Sequence, residues 1–462
     1  MKLQSEARAS VARELVGGFA PDQDDSKKNH IHFVGIGGIG LSALARYLKK
    51  EGYRVSGSDI KETKITKKLV DEGIEVSVPH EAKNIKNQDL VIYTAVAKDD
   101  NIELVEARKR GVLTLSRKDA LPLILKNRRV FATCGAHGKS TTSAMLASMV
   151  EGTVIIGAES KQFDTNMHYM ASNNIIFEAD ESDESFLNSN PYVAVVTNAE
   201  PEHMEHYNYD LKRFYGAYEQ FLKSAAIRVI NAEDTFLSTL DTLEAIRLHP
   251  SRDIKNIETV IRNDEPFTSF VLKDLGRFEV WGIGEHIAID ASLAVLASLN
   301  EMDLESTRKK LKNYRGIKKR FDIVAKNDDF TLIDDYGHHP TEIKATINSA
   351  QKYASLMGLK EITAIWQPHK YSRVHDNLEG FVECFAGVDR LIILPVWSAG
   401  EEEIKIDFEN KFKKYQPIFA QNLKKEKDSL NLISNKKILK ELNQGLIIGF
   451  GAGDITYQLR GA

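Results

Sequence analysis

Residues Phe131–Leu146 read FATCGAHGKSTTSAML. An apolar strand runs into a glycine-bearing turn, and small and hydroxyl side chains then open a helix. Gly138-Lys139-Ser140 is the second half of a phosphate-binding loop. Such a loop turns its backbone N–H groups toward phosphates, reaches the outer phosphates with its lysine and faces a magnesium ion with its hydroxyl. The common spacing, G-x-x-x-x-G-K-[ST], would put a glycine where this chain has Thr133. A strand–loop–helix unit of this kind is the building block of an α/β fold, and the chain on either side repeats it.

At 462 residues the chain is too long for one ordinary core. Three blocks of alternating strand and helix patterns follow a polar segment, 1–29, which is expected to be a mobile tail. The first block, 30–125, opens with HIHFVGIGGIGLSALARYLKK and continues through YRVSGSD, DLVIYTAV and GVLTLS. The second, 126–315, carries RRVFAT, NNIIFEADESDESF, VAVVTNAE and IRVINAED, a small β insertion within 240–280, and a helix over Ala288–Asn300. The third, 316–462, carries FTLIDDY, EITAIWQ, RLIILPVW and GLIIGFGAG. Apolar strands alternating with helices predict mostly parallel sheets, whose ligands sit beyond the carboxyl ends of the strands.

The bulk numbers exclude several classes. Hydrophobic residues make up 42% and charged residues 28%, as in soluble globular proteins. A net charge of −4 lacks the basic excess of a nucleic-acid binder. Cys134 and Cys384 make neither a disulfide framework nor a zinc cluster and suit a reducing cytoplasm. No apolar run is long enough to span a bilayer, and the N-terminus has no charged-then-apolar signal pattern.

Chemistry-bearing residues fall at the strand ends. Gly35-Ile36-Gly37-Gly38-Ile39-Gly40 fits G-x-G-x-x-G between a strand and a helix, a turn that holds a diphosphate, and Asp59 closes the next strand. By itself this reads as a dinucleotide site. Glu178, Asp180, Glu181 and Asp183 end one strand of the second block, and Asn198, Glu202, His203, Glu205 and His206 end another. Beside a phosphate loop, these oxygen-rich groups suit a hard cation. In the third block Asp334 and Asp335 suit a ribose or a metal-linked water, and His338-His339 precede a helix-starting proline. His369, Lys370 and Arg373 form a cationic patch at the start of a helix, where cations oppose the helix dipole unless an anion joins them.

The order GIGGIG, GAHGKSTT, EADESD, TNAEPEH, KKRF, DDYGHHPTE, QPHKYSR resembles the Mur ligases from about His30 to Gly451–Ile455. That family's loop, G-[TA]-x-G-K-[ST]-T, begins at Gly135, so Thr133 is no defect. The resemblance implies three domains: a Rossmann-like UDP-binding domain, a P-loop ATP-binding central domain and a Rossmann-like C-terminal domain. It implies that Gly37 and Gly38 hold the diphosphate of a UDP-sugar, with Asp59 and Ile60 near the uridine and His80, Ala95 and Val96 on the sugar side. ATP falls to Gly135, Ala136, His137, Gly138, Lys139, Ser140 and Thr141, with Asn198, His286, Arg320 and Asp335; Mg²⁺ falls to Ser140, Glu178 and His203. Tyr336, His338, His369, Lys370 and Arg373 line the amino-acid site. The chain departs from the family pattern in three places. Ile287 and Asp290 replace two asparagines of GxHNxxNA, Lys370 replaces the arginine of QPHRY, and RFYGAYEQF lacks the lysine that several members carbamylate.

The activity implied is ATP-dependent amide formation by a cytoplasmic monomer or dimer. Within the family, the nearest branch joins L-alanine to the lactyl carboxylate of UDP-N-acetylmuramate through an acyl phosphate, with Lys139, Arg320 and His203 at the reacting groups. A recycling ligase that adds a tripeptide to the same nucleotide sugar is the close alternative. An NAD-dependent dehydrogenase would explain GIGGIG and Asp59 but not the second phosphate loop. A non-catalytic nucleotide-binding regulator would explain both loops but not the acids.

Overall fold

The computed structural model describes residues 29–461; of the expected tail, all but Asn29 lies outside the described residues. Two compact units are present: residues up to Asp253 together with Ile289–Asn313, and Ile254–Ala288 together with Tyr314 onward.

The first unit holds two mostly parallel sheets. In the N-terminal one, β1 (His30–Val34), β2 (Arg54–Ser58), β3 (Glu75–Ser77), β4 (Leu90–Tyr93) and β5 (Leu113–Ser116) lie in the order β3-β2-β1-β4-β5, all parallel. All five residues of β1 are buried, as a central parallel strand requires. Helix α1 (Ile39–Lys50) turns Leu41, Leu44 and Leu48 inward at helical spacing, and Lys49 and Lys50 lie at its negative end.

The second sheet runs β12-β11-β10-β6-β9-β7-β8, from β6 (Arg129–Cys134), β7 (Thr153–Ser160), β8 (Thr165–His168), β9 (Asn174–Glu178), β10 (Pro191–Val196), β11 (Ile227–Asn231) and β12 (Ile246–Leu248). Only the β7–β8 pair is antiparallel. Register sets the site. Thr133 pairs with Glu178 and Cys134 with Val196, so the phosphate loop leaves β6 between the acidic end of β9 and the TNAE end of β10. Arg46 of α1 donates to Asn166 Oδ1 at 2.9 Å, and Asn166 donates back to the Ile39 carbonyl at 3.0 Å, tying the two sheets together.

The second unit begins with the expected β insertion, an antiparallel sheet of β13 (Ile254–Arg262), β14 (Glu265–Leu272) and β15 (Arg277–Trp281). Its main sheet runs β16-β17-β24-β18-β19-β20, with β16 (Asp322–Lys326), β17 (Phe330–Asp335), β18 (Ile362–Trp366), β19 (Arg390–Ile393), β20 (Ile418–Phe419) and β24 (Gly445–Phe450). The small sheet β21 (Asn422–Lys425), β22 (Leu430–Ser434) and β23 (Lys437–Leu442) was not foreseen in the sequence. The helix expected over Ala288–Asn300 spans Glu285–Ser298. No helix among the described residues is long and apolar enough to cross a membrane.

Candidate active site

The phosphate loop opens on two glycines that nothing else can replace. Gly135 has φ +137° and Gly138 φ +79°; a Cβ would lie 2.1 Å from Thr197 Oγ1 at the first and 2.5 Å from Asp290 Oδ1 at the second. Gly138 caps helix α2 (Lys139–Met149) with no side chain on the first-turn amides, the arrangement that leaves a helix N-terminus open to an anion. Asn198 braces the loop: it accepts from the His137 N–H at 3.2 Å and donates to the His137 carbonyl at 2.8 Å. Asp290, one of the departures from the family pattern, packs against the loop at Gly138.

Lys139 Nζ meets Glu181 Oε1 at 3.1 Å. Burial works against the Lys139 charge, but Glu181, Glu178 and Asp180 outweigh it and hold the ammonium above its ordinary range. Burial pushes Glu181 up to about 7, only partly opposed by Lys139. Glu181 Oε2 is buried without a hydrogen-bond partner, as are Thr133 Oγ1 and Thr142 Oγ1. The other acids of this run are bound locally. Glu178 Oε2 accepts from Gly157 N at 2.8 Å, Asp180 from Ser182 N at 3.1 Å and Asp183 from Ser185 N at 2.9 Å. His203 is half-exposed at φ +52°, with Glu205 3.7 Å from its ring. Among the described residues no three His, Cys, Asp or Glu side chains are grouped to hold a metal by themselves. What this region offers is an open, oxygen-rich face, the donor set a hard cation shares with nucleotide phosphates and water.

At the mouth of the N-terminal sheet, Asp59 folds back under the glycine turn. Its Oδ2 accepts from Gly37 N at 2.8 Å and its Oδ1 from Ile60 N at 2.8 Å. A Cβ at Gly37 would lie 2.7 Å from that carboxylate. Gly38 caps α1 without a side-chain bond. Ile60 and Val96 stand exposed, and Ala95 and Val96 form the turn after β4. His80 Nδ1 lies 2.8 Å from Ser58 Oγ.

In the second unit, Asp335, Phe450 and Trp366 are level across β17, β24 and β18, which brings the DDYGHHP and QPHKYSR segments to one end of the sheet. Asp334 faces away from that end. It accepts from Thr456 Oγ1 at 2.6 Å and Arg460 Nε at 2.9 Å, a structural anchor rather than the partner of a ribose or a metal-linked water that its position suggested. Asp335 accepts from Phe321 N and Gly337 N, both at 2.8 Å, and burial pushes its carboxyl up to about 6 against the pull of Arg320. Arg320 lies over the Tyr336 ring at 5.4 Å and pairs with Glu342 at 3.1 Å. Burial lowers His338 to about 4, and burial together with Arg373 and Lys370 lowers His369 likewise to about 4. Arg373 Nη1 sits 3.1 Å from His369 Nδ1, and the two histidine rings are 6.0 Å apart. His286 is exposed beside Gly284.

Three acids missing from the sequence-derived sites organise this chemistry. Glu342 reaches back from the first turn of α3 (Pro340–Met357) to the N–H groups of His338 and His339 at 3.1 and 3.3 Å. Burial would raise it, but Arg320 and His338 bring it down to about 2. The helix-starting proline with Glu two residues on was the available signal. Glu401 accepts from Ser372 N and Oγ at 3.1 and 2.8 Å, with Lys370 Nζ at 3.9 Å. The anion demanded by cations at the start of helix Tyr371–Asp376 is thus supplied partly from within the chain. The third, Glu103, lies buried under His80.

Comparison with known proteins agrees with this geometry. The family description "Mur ligase family, catalytic domain" matches residues 30–129, and "Mur ligase, glutamate ligase domain" matches residues 319–442. A UDP-N-acetylmuramate–L-alanine ligase of Campylobacter curvus is 59% identical over 431 residues, covering 93% of this chain and 99% of its own length. One of Helicobacter pylori is 54% identical over 434 residues, covering 93% and 96%. The crystal structure of UDP-N-acetylmuramate-alanine ligase MurC from Thermotoga maritima superposes with a TM-score of 0.78 at 28% identity, covering 93% of this chain and 97% of that one. With two strand-end glycine turns, an open phosphate loop and relatives this similar along nearly its whole length, the chain belongs to the Mur ligase family.

Proposed function

We propose that the protein is an ATP-dependent ligase that joins L-alanine to the lactyl carboxylate of UDP-N-acetylmuramate, releasing ADP and phosphate, in the synthesis of the peptidoglycan precursor. The observation that carries this reading is the open phosphate loop with its part-buried Lys139–Glu181 pair, in a chain whose named relatives use those two substrates. The domains are assigned as 30–125 for the UDP-sugar, 126–315 for ATP and 316–462 for the amino acid, and the enzyme works in the cytoplasm as a monomer or dimer.

The lactyl carboxylate attacks the γ-phosphorus of ATP, giving an acyl phosphate and ADP; the amine of L-alanine then adds to the acyl carbon, and phosphate leaves. Charge on the transferring phosphoryl oxygens is what such a site must neutralise. Gly135–Thr141 supplies N–H donors, Lys139 its ammonium and Arg320 its guanidinium, while Asn198, His286 and Asp335 position ATP. Mg²⁺, when bound, adds charge neutralisation at the phosphate oxygens, and Ser140, Glu178 and His203 are the residues to hold it. The fit rests on the oxygen donors and unpartnered hydroxyls beside the loop. Gly37, Gly38, Asp59, Ile60, His80, Ala95 and Val96 take the UDP-sugar. His369, Lys370 and Arg373 take the carboxylate of L-alanine, with Tyr336 and His338 beside its amine. The test is ATP-dependent phosphate release with UDP-N-acetylmuramate and a panel of amino acids and peptides. L-alanine should support the highest kcat/KM, and preference for a tripeptide would overturn the assignment.

A further inference from the structure

Glu103 is fully buried in the first turn of helix Ile102–Lys109, yet it is held well below the usual carboxylate range. Burial alone would raise it; hydrogen bonds from His32, His80, Ser58 and Asn84 outweigh that. Oε1 accepts from Asn84 Nδ2 at 2.6 Å and from Glu81 N at 3.1 Å. Oε2 accepts from the Ser58 hydroxyl, with His32 Nε2 at 3.4 Å and His80 Nδ1 at 3.5 Å.

The donor order fixes a tautomer. An ionised carboxylate only accepts, so Ser58 gives its single proton to Glu103. Ser58 Oγ can then only accept, and its neighbour at 2.8 Å is His80 Nδ1, which must carry the ring proton. In the neutral ring Nε2 keeps its lone pair, and it has no hydrogen-bond partner among the described residues. The relay lies directly under the glycine turn: the Ser58 carbonyl accepts from Gly35 N at 2.9 Å and Ile36 N at 3.0 Å. That is the mouth of a parallel sheet, where ligands bind.

We infer that Glu103 is a positioning residue for nucleotide-sugar binding: through Ser58 it locks His80 as the Nδ1–H tautomer, so that Nε2 accepts a hydrogen bond from a hydroxyl or amide N–H of the bound UDP-sugar. This rests on reading the glycine-turn mouth as the UDP-sugar site. The bonds from Glu81 N and Asn84 to the same carboxylate fasten the loop that follows His80.

The test uses the full-length enzyme, its Ser58→Ala, Glu103→Gln and His80→Ala variants, and the double variant Ser58→Ala/His80→Ala. Calorimetric Kd for UDP-N-acetylmuramate, KM for each substrate and kcat are measured, and ¹⁵N-histidine NMR reads the ring tautomer above pH 8. His80 should be Nδ1–H in the wild type and mixed in Ser58→Ala. Ser58→Ala and Glu103→Gln should each weaken UDP-sugar binding about tenfold, with kcat and the KM values for ATP and L-alanine within about twofold. The double variant should bind no more weakly than His80→Ala. A wild-type Nε2–H tautomer, an unchanged Kd in Ser58→Ala, or equal changes in all three KM values would overturn the inference. Should Glu103→Gln fail to fold, Ser58→Ala decides alone, because it leaves the carboxylate its other donors. A wild type that binds no UDP-N-acetylmuramate would instead overturn the reading of the site.

Discussion

Lys139 and the buried Glu181 form a part-buried ion pair, Nζ to Oε1 at 3.1 Å, where the phosphate loop enters its helix. Burial opposes the lysine's charge, and Glu181, with Glu178 and Asp180, more than offsets that and holds the ammonium above its ordinary range. The pair also leaves Glu181 with one carboxylate oxygen buried and without a hydrogen-bond partner. Such an arrangement holds the cation ready for phosphate at the cost of a poorly solvated carboxylate, a local penalty that binding sites commonly carry.

Lys139→Ala should therefore abolish turnover while leaving UDP-sugar affinity unchanged, since the glycine turn at Gly37-Gly38 lies on a different sheet. Losing one phosphate clamp is worth about 10²–10³ in rate. Retention of more than about a tenth of the wild-type rate, roughly 1.4 kcal/mol, would count against the role.

Glu181→Gln should change how stability depends on pH. The Glu181 carboxyl is raised from 4.5 to about 7. A raised group contributes stability that is fully present below its unfolded value and lost as pH rises through the folded one. Gln has no such proton. The melting-temperature advantage of the wild type over the variant should thus be largest near pH 4.5 and shrink toward pH 8, by an equivalent of roughly 1–3 kcal/mol. A difference independent of pH would show that Glu181 does not titrate in this window.

The sequence made the sheets legible because buried parallel strands are near-continuous apolar runs, and RRVFAT, VAVVTN and GLIIGF each became one. Glycine turns were legible for a similar reason: Gly135 and Gly138 tolerate no Cβ. Partners across long sequence separations were not. Glu401 reaches Ser372 over 29 residues and Glu103 reaches His32 over 71, and no local pattern foretells either. Asp334 and Asp335 show the limit of adjacency. Neighbours on a strand face opposite ways, so one is tied to Arg460 and the other to the turn N–H groups.

Glu178→Ala and His203→Ala should each raise the Mg²⁺ concentration needed for half-maximal rate, and excess Mg²⁺ should recover part of the loss. Glu178 sits level with Thr133 at the base of the loop, and its Oε1 faces Gly157, where a Cβ would lie 2.7 Å away. Divalent cations bound through one or two carboxylates and phosphate oxygens are lost progressively as ligands are removed. Magnesium titrations of both variants check this; defects indifferent to Mg²⁺ would remove these residues from the metal's shell.

Arg373→Ala should raise the KM for L-alanine far more than those for ATP or UDP-N-acetylmuramate. Its guanidinium lies against His369, whose ring is held neutral by burial and by the flanking cations, so Arg373 keeps its charge available for a carboxylate. Lys370, the other cation of the patch, is already turned toward Glu401, which makes Arg373 the stronger anchor. A lost charge-assisted contact costs roughly 1.5–3 kcal/mol, or about ten- to a hundredfold in binding. Steady-state kinetics with each substrate varied in turn decides the matter. A selective rise for L-alanine supports the carboxylate role, and equal rises in all three KM values would indicate general damage to the sheet end instead. If the wild type prefers a free tripeptide to L-alanine, the carboxylate contact can stand while the amino-acid assignment falls.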